Sequence, residues 1–202
     1  MERYHAELAT AFVRGRLGDP RASLDDGQRA GLRLHKFKLD TTLPRVQRVL
    51  GILHGLAPEN LLDIGSGRGT FLWPLLAAFT HLPVTAIDHA AQRAADLGAV
   101  QRGGIHRLTA LRMDAQQLAF AGDAFDVVTM LEVLEHLPTP ALALQEALRV
   151  AQRFVVLSVP SVPDDNPEHL HLFTPAQIKT MAGAQRITID LVLNHRIAVL
   201  RK

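Results

Sequence analysis

From Asn60 onward, short apolar runs alternate with longer stretches in which apolar residues recur every three or four positions. This is the rhythm of a parallel sheet whose strands are joined by crossover helices. The pattern predicts strands near 60–64, 83–87, 106–113, 125–131, 153–159, 186–193 and 196–201, with helices near 69–79, 90–98, 139–150 and 174–183. Only Asn194 and His195 separate the last two apolar runs. That gap holds a hairpin and leaves no room for a crossover helix, so the final pair is expected to be antiparallel. The expected fold class is α/β, with a mostly parallel seven-stranded sheet, helices on both faces and a C-terminal antiparallel hairpin.

The first 57 residues have a different texture. They are Arg-rich and helical in period, with turn signals at Gly18-Asp19-Pro20 and Asp25-Asp26-Gly27. After Pro44, Val46, Val49, Leu50, Leu53 and Leu56 recur at helical spacing. A helical N-terminal cap over residues 1–57 and a main domain over 58–202 are therefore expected. Arg29, Arg33 and Lys36 read as one helix face, with Lys38, Arg45 and Arg48 near it and Asp40 the only acid among them. An acidic substrate or RNA phosphate could dock there, although a solvated helix face is the plainer reading, and His35 and Phe37 alone offer little for base stacking.

Composition narrows the classes further. A chain of 202 residues with 48% hydrophobic residues fits one domain with a substantial core. Lys and Arg number 22 against 20 Asp and Glu, so charge does not announce a nucleic-acid partner. The absence of cysteine excludes disulfides, thiolate metal sites and a cysteine nucleophile. Met1-Glu2-Arg3-Tyr4-His5 lacks an export-signal pattern, and no apolar run approaches the ~18 residues of a membrane span. The expectation is a cytoplasmic protein with no membrane partner; the oligomeric state is not encoded in this pattern.

The chemistry concentrates at Leu61-Leu62-Asp63-Ile64-Gly65-Ser66-Gly67-Arg68-Gly69-Thr70-Phe71-Leu72. A buried strand runs into a glycine turn that opens a helix, where unpaired backbone N–H groups face a ligand. Gly65, Gly67 and Gly69 allow a sharp turn and close approach. A dinucleotide fold would place its third glycine one residue later, where Thr70 stands. Asp88 closes the next strand, where a carboxylate can accept ribose hydroxyls, and Asp114 follows the third. Each aspartate could instead be a turn former or helix cap. Asp63, amid Leu61, Leu62 and Ile64, costs free energy unless it is partnered, whereas Asp126 reads as structural.

This ordered set resembles motif I and the following motifs of the class I S-adenosylmethionine-dependent methyltransferases, over roughly residues 60 to 200. The resemblance implies a Rossmann-like fold and S-adenosyl-L-methionine as cofactor. It implies cofactor contacts from Asp63, Gly65, Ser66, Gly67, Asp88, His89, Asp114, Ala115 and Leu131. Asp63 would orient the glycine turn and the cofactor amino group, and Asp114 would face the adenine amino group.

A second constellation, Glu132, Glu135 and His136, would share one face if a helical turn starts at Leu131. Two carboxylates and an imidazole suit a divalent cation such as Mg²⁺, Mn²⁺ or Zn²⁺. The Glu-x-x-Glu-His spacing is similar to the metal triad of small-RNA 2′-O-methyltransferases and ubiquinone-pathway O-methyltransferases. By that resemblance His171 is the fourth ligand, with His169 in reserve. Without a metal, Glu132 would line the pocket and His136 would be the catalytic base or a polar core residue. The resulting expectation is O-methylation of a small-molecule hydroxyl. RNA 2′-O-methylation, a noncatalytic S-adenosylmethionine-binding module and a nicotinamide-dependent oxidoreductase are the alternatives.

Overall fold

The computed structural model describes residues 5–38 and 43–202. Met1–Tyr4 of the signal reading and Asp40 of the basic stretch lie outside the described residues. Seven strands form one sheet: β1 (Leu61–Ile64), β2 (Val84–Asp88), β3 (Leu108–Arg112), β4 (Phe125–Leu131), β5 (Ala151–Pro160), β6 (Arg186–Val192) and β7 (His195–Arg201). Their order is β3-β2-β1-β4-β5-β7-β6. The first five strands are parallel, and β7 runs antiparallel to both β5 and β6. Strand order reverses direction between β1 and β4, and a crevice at the carboxyl ends of such a pair is where open α/β sheets take ligands.

Successive side chains of the central strands enter opposite cores, as a period of two requires. Leu61, Val127 and Val156 join one buried cluster, while Leu62, Val128, Val155 and Leu157 join the other. The first face is covered by α1 (Ala6–Leu17), α3 (Pro44–Leu56), α4 (Leu72–Ala78) and α5 (Ala91–Arg102). The second is covered by α6 (Pro140–Val150) and α7 (Pro175–Ala182). Leu8, Phe12 and Val13 of α1 and Val46, Val49 and Leu53 of α3 share one cluster with Leu61 and Leu72. The N-terminal helices thus complete the sheet's own core on that face.

Two sequence expectations change here. The hairpin turn is Leu193-Asn194 instead of Asn194-His195, because His195 already pairs with Val192 and Pro160 and Leu193 takes the left-handed turn conformation at φ 51°. The basic helix face also dissolves. Helix α2 (Leu24–Arg29) ends before Arg33, and Lys36 sits in a separate 3₁₀ turn, His35–Phe37. Lys36 bonds Asp96 and lies 4.0 Å over the Phe12 ring, Arg29 pairs with Asp26, and Arg48 pairs with Asp190.

Candidate active site

The glycine turn follows β1 with Gly65, Gly67 and Gly69 at φ of 71°, 57° and 85°. A Cβ at Gly65 would lie 2.5 Å from Val133 Cγ2, and one at Gly69 would lie 1.9 Å from the Trp73 ring. The third glycine therefore makes room for a tryptophan and not, as expected from sequence, for a ligand. Trp73 in turn fixes the loop: its Nε1–H donates to the Arg68 carbonyl at 2.9 Å, and its ring packs 4.9 Å from that of Phe37. Helix α4 starts at Leu72, later than the expected residue 69, because left-handed Gly69 cannot open an α-helix.

Asp63 is buried within β1 and accepts hydrogen bonds from Ser66 Oγ at 2.7 Å and Thr129 Oγ1 at 2.8 Å. Burial pushes its carboxyl up to about 6; the two hydroxyls oppose that shift, and the neighbouring charge of Asp88 adds to it. Thr129 escaped the sequence reading, although a hydroxyl inside an otherwise apolar strand was the available signal, and β-pairing sets it beside Asp63. Asp88 accepts the Gly67 and Ala90 N–H groups, both at 2.9 Å, and so ties the glycine turn to the end of β2. Each carboxylate oxygen keeps a further acceptor site for a hydroxyl.

Asp114 lies two residues beyond the end of β3 and accepts the Gln116 N–H at 2.9 Å. With Ala115, Ile87, Met113 and His89 it lines a cavity of about 270 Å³. A larger cavity of about 580 Å³ adjoins it through Gly65, Asp88, His89, Val133 and His136. That cavity is bordered by Asp63, Ser66 and Gly67 at one end and by Arg45, Leu131, Glu132, Glu168 and Leu170 at the other. Every sequence-predicted cofactor residue thus lies on one of two connected cavities at the carboxyl ends of the strands.

The Glu132, Glu135 and His136 set does not share a face. Glu132 adopts φ 56°, outside the 3₁₀ turn Leu134–His136, so its side chain departs in another direction. Its Oε1 accepts from Ser158 Oγ at 2.6 Å, and its Oε2 lies 3.2 Å from His195 Nε2. Glu135, in contrast, is fully buried, and neither carboxylate oxygen has a hydrogen-bond partner. Burial, together with the nearby charge of Glu132, raises its carboxyl to about 8.

Glu135, His136 and His169 each offer a ligand atom, all within 4.8 Å of one another. Each imidazole has Nδ1 engaged, that of His136 with the Glu168 carbonyl at 3.0 Å and that of His169 with Asp164 Oδ1 at 2.8 Å. An Nδ1–H held by oxygen leaves Nε2 unprotonated, which is the form that binds a metal. His171 is drawn away instead, with Nε2 3.0 Å from the Leu137 carbonyl and its ring 5.5 Å from that of Phe173. Two expected ligands, Glu132 and His171, therefore stand outside the group, and the reserve His169 stands in it. The Leu170 N–H donates to the Glu135 carbonyl at 2.7 Å, which straps the histidine loop over the buried acid.

A parallel sheet reversing at β1 and β4, a glycine turn and acids after β2 and β3 define the class I methyltransferase architecture. Residues 62–157 match the family model described as a methyltransferase domain, and this segment is a domain of the class I, S-adenosylmethionine-dependent type. The chain is 34% identical over 113 residues to a demethylmenaquinone methyltransferase of Clavibacter sepedonicus, covering 54% of this chain and 45% of that one. It is 37% identical over 90 residues to a ubiquinone biosynthesis O-methyltransferase of Aromatoleum aromaticum, covering 43% and 37% respectively. The matches thus span less than half the length of these curated relatives. In fold it resembles magnesium protoporphyrin IX methyltransferase from Synechocystis PCC 6803 with bound SAH, with a TM-score of 0.61, 20% identity and coverage of 78% and 82%. Among the described residues, no helix is long and apolar enough to cross a membrane.

Proposed function

We propose that the chain is an S-adenosylmethionine-dependent methyltransferase acting on a hydroxyl oxygen of a small molecule. The observation that carries this reading is one continuous cleft with two chemically distinct ends. The glycine-turn end, with Asp63, Ser66, Asp88 and Asp114, suits an adenosyl amino acid. The other end, with Arg45, Leu131, Glu132, His136 and Leu170, offers acid–base groups beside apolar walls. Methyl transfer is an in-line displacement, so the residues mainly align the acceptor and remove its proton. A small acceptor is favoured over RNA because the basic side chains of the N-terminal segment are engaged by acids at Lys36, Arg29 and Arg48. A relative named as a ubiquinone biosynthesis O-methyltransferase supports an oxygen acceptor, and one named as a demethylmenaquinone methyltransferase supports a small-molecule acceptor.

Glu135, His136 and His169 fit a divalent cation by chemistry as well as position. A buried carboxylate without a donor and two imidazoles with held Nδ1 atoms are a donor set that a cation completes. A cation bound there would act as a Lewis acid toward the acceptor hydroxyl. Calorimetry with S-adenosylhomocysteine tests the cofactor assignment, and binding is expected. Thermal protection by a nicotinamide dinucleotide, with none from S-adenosylhomocysteine, would overturn it.

A further inference from the structure

The C-terminal hairpin contacts Glu132, a residue that lines the cleft, through His195. His195 opens β7, pairs in register with Pro160 at the end of β5, and points Nε2 at Glu132 Oε2, 3.2 Å away. Ser158, fully buried near the end of β5, donates to Oε1 of the same carboxylate at 2.6 Å. The Glu132 N–H donates to the Ser158 carbonyl at 3.0 Å, and Arg45 Nε stands 4.0 Å from Oε1. Three side-chain contacts from three separate segments converge on a single carboxylate, and a fourth, main-chain bond ties its residue to β5 with the backbone at φ 56°. A non-glycine residue is strained in that conformation and persists there only where its surroundings impose it.

An ionised carboxylate only accepts hydrogen bonds, so the His195 nitrogen facing it carries the proton. Each Glu132 oxygen then has one hydrogen-bond donor and one further acceptor site, on a residue that lines the cleft. We infer that Glu132 is the proton acceptor for the acceptor hydroxyl and that His195 is the positioning residue that aims it. This inference rests on the O-methyltransferase reading above. In the step, the acceptor O–H gives its proton to a free Glu132 lone pair, and the oxygen's electron pair forms the bond to the methyl carbon. The carbon–sulfur bond breaks, its pair stays on sulfur, and neutral S-adenosylhomocysteine leaves. Glu132 then returns its proton to water. Glu132 is not one of the three grouped ligands Glu135, His136 and His169, although its charge is felt at Glu135.

Two phenol probes test it: catechol, protonated near neutral pH, and nitrocatechol, whose hydroxyl is already largely ionised there. Methyl transfer is followed as S-adenosylhomocysteine released by wild type, Glu132→Gln, His195→Ala and His195→Gln, with S-adenosylhomocysteine affinity as the control for an intact fold. His195→Ala is expected to lower kcat with catechol about a hundredfold and with nitrocatechol by less than about tenfold, the span of general-base catalysis. His195→Gln, which retains an N–H donor, is expected to recover part of the loss. Equal losses with both phenols, or no loss in His195→Ala, overturn the inference. So does a wild-type protein that binds S-adenosylhomocysteine yet methylates neither phenol. A wild type that fails to bind S-adenosylhomocysteine brings down the methyltransferase reading itself, a different result from any of these.

Discussion

Two buried carboxylates, one under the glycine turn and one under the histidine loop, have opposite surroundings. Asp63, under the glycine turn, accepts from two hydroxyls and is raised only to about 6. Glu135, under the histidine loop, has no donor on either oxygen and is raised to about 8. A buried polar group left unpaired costs the full desolvation of that group, so a fold keeps one only where something else completes it. The glycine-turn end is therefore finished by the chain's own side chains before any ligand arrives. The site under the histidine loop is a donor set that remains incomplete in the protein alone.

If the glycine-turn end is self-completed, breaking it should damage the fold as well as binding. Gly69→Ala places a Cβ 1.9 Å from the Trp73 ring at φ 85°. Relief would have to move a ring that packs on Phe37 and holds the Arg68 carbonyl. A loss of about 4 kcal/mol is expected, read as the midpoint of denaturant unfolding, together with loss of S-adenosylhomocysteine binding. Unchanged stability would mean that the turn is loosely held.

The second effect separates the two acids by pH in metal-free protein. A Glu135 carboxyl near 4.5 in the unfolded chain and about 8 in the fold means that the folded state holds the extra proton between those values. Stability from this group is thus greatest below 4.5 and falls as pH rises toward 8. The decline should be about 5 kcal/mol, and Glu135→Gln should remove it. Asp63 adds a shallower decline between 3.8 and about 6. Urea unfolding across this pH range, with a chelator present, measures both.

A cation should reverse that decline. At a hundred times Kd, Mn²⁺ or Zn²⁺ is expected to stabilise the fold by about 2.7 kcal/mol, read as a rise in Tm. His169→Ala should abolish the rise, whereas His171→Ala, whose ring faces the Leu137 carbonyl, should preserve it. The reverse pattern would return the site to the ligand set read from sequence.

The same contrast governs what the sequence made legible. The succession of strands and helices along the chain, the closing hairpin and the glycine turn could be read because apolar period and turn chemistry are local properties of the chain. Asp63, Asp88 and Asp114 could be read because they sit at or near strand ends, which the fold brings to one edge. The face shared by Glu132, Glu135 and His136 could not, since it assumed a helical turn where Glu132 is left-handed. His195 was hidden because its importance depends on which strand lies beside β5, a long-range pairing with no local trace. The choice between His169 and His171 turned on a loop held by the Glu135 carbonyl. Gly69 was legible as a turn but not as the space for Trp73, four residues ahead.

Thr129→Val is the smallest of these effects and bears most directly on whether Asp63 is self-completed. The swap keeps the shape of the side chain in β4 and removes one of two donors to the carboxylate. About 1 kcal/mol of stability should be lost, the usual worth of one such bond. Because a hydroxyl donor favours the ionised form, its removal should move the Asp63 carboxyl further above about 6. If the ionised form is the one that receives the cofactor's ammonium group, wild-type affinity for S-adenosylhomocysteine should rise with pH through about 6, and the variant's rise should come at higher pH. Calorimetry at matched pH values separates that displacement from a uniform loss of affinity. A uniform loss would make Thr129 a packing residue and leave Ser66 as the donor that matters.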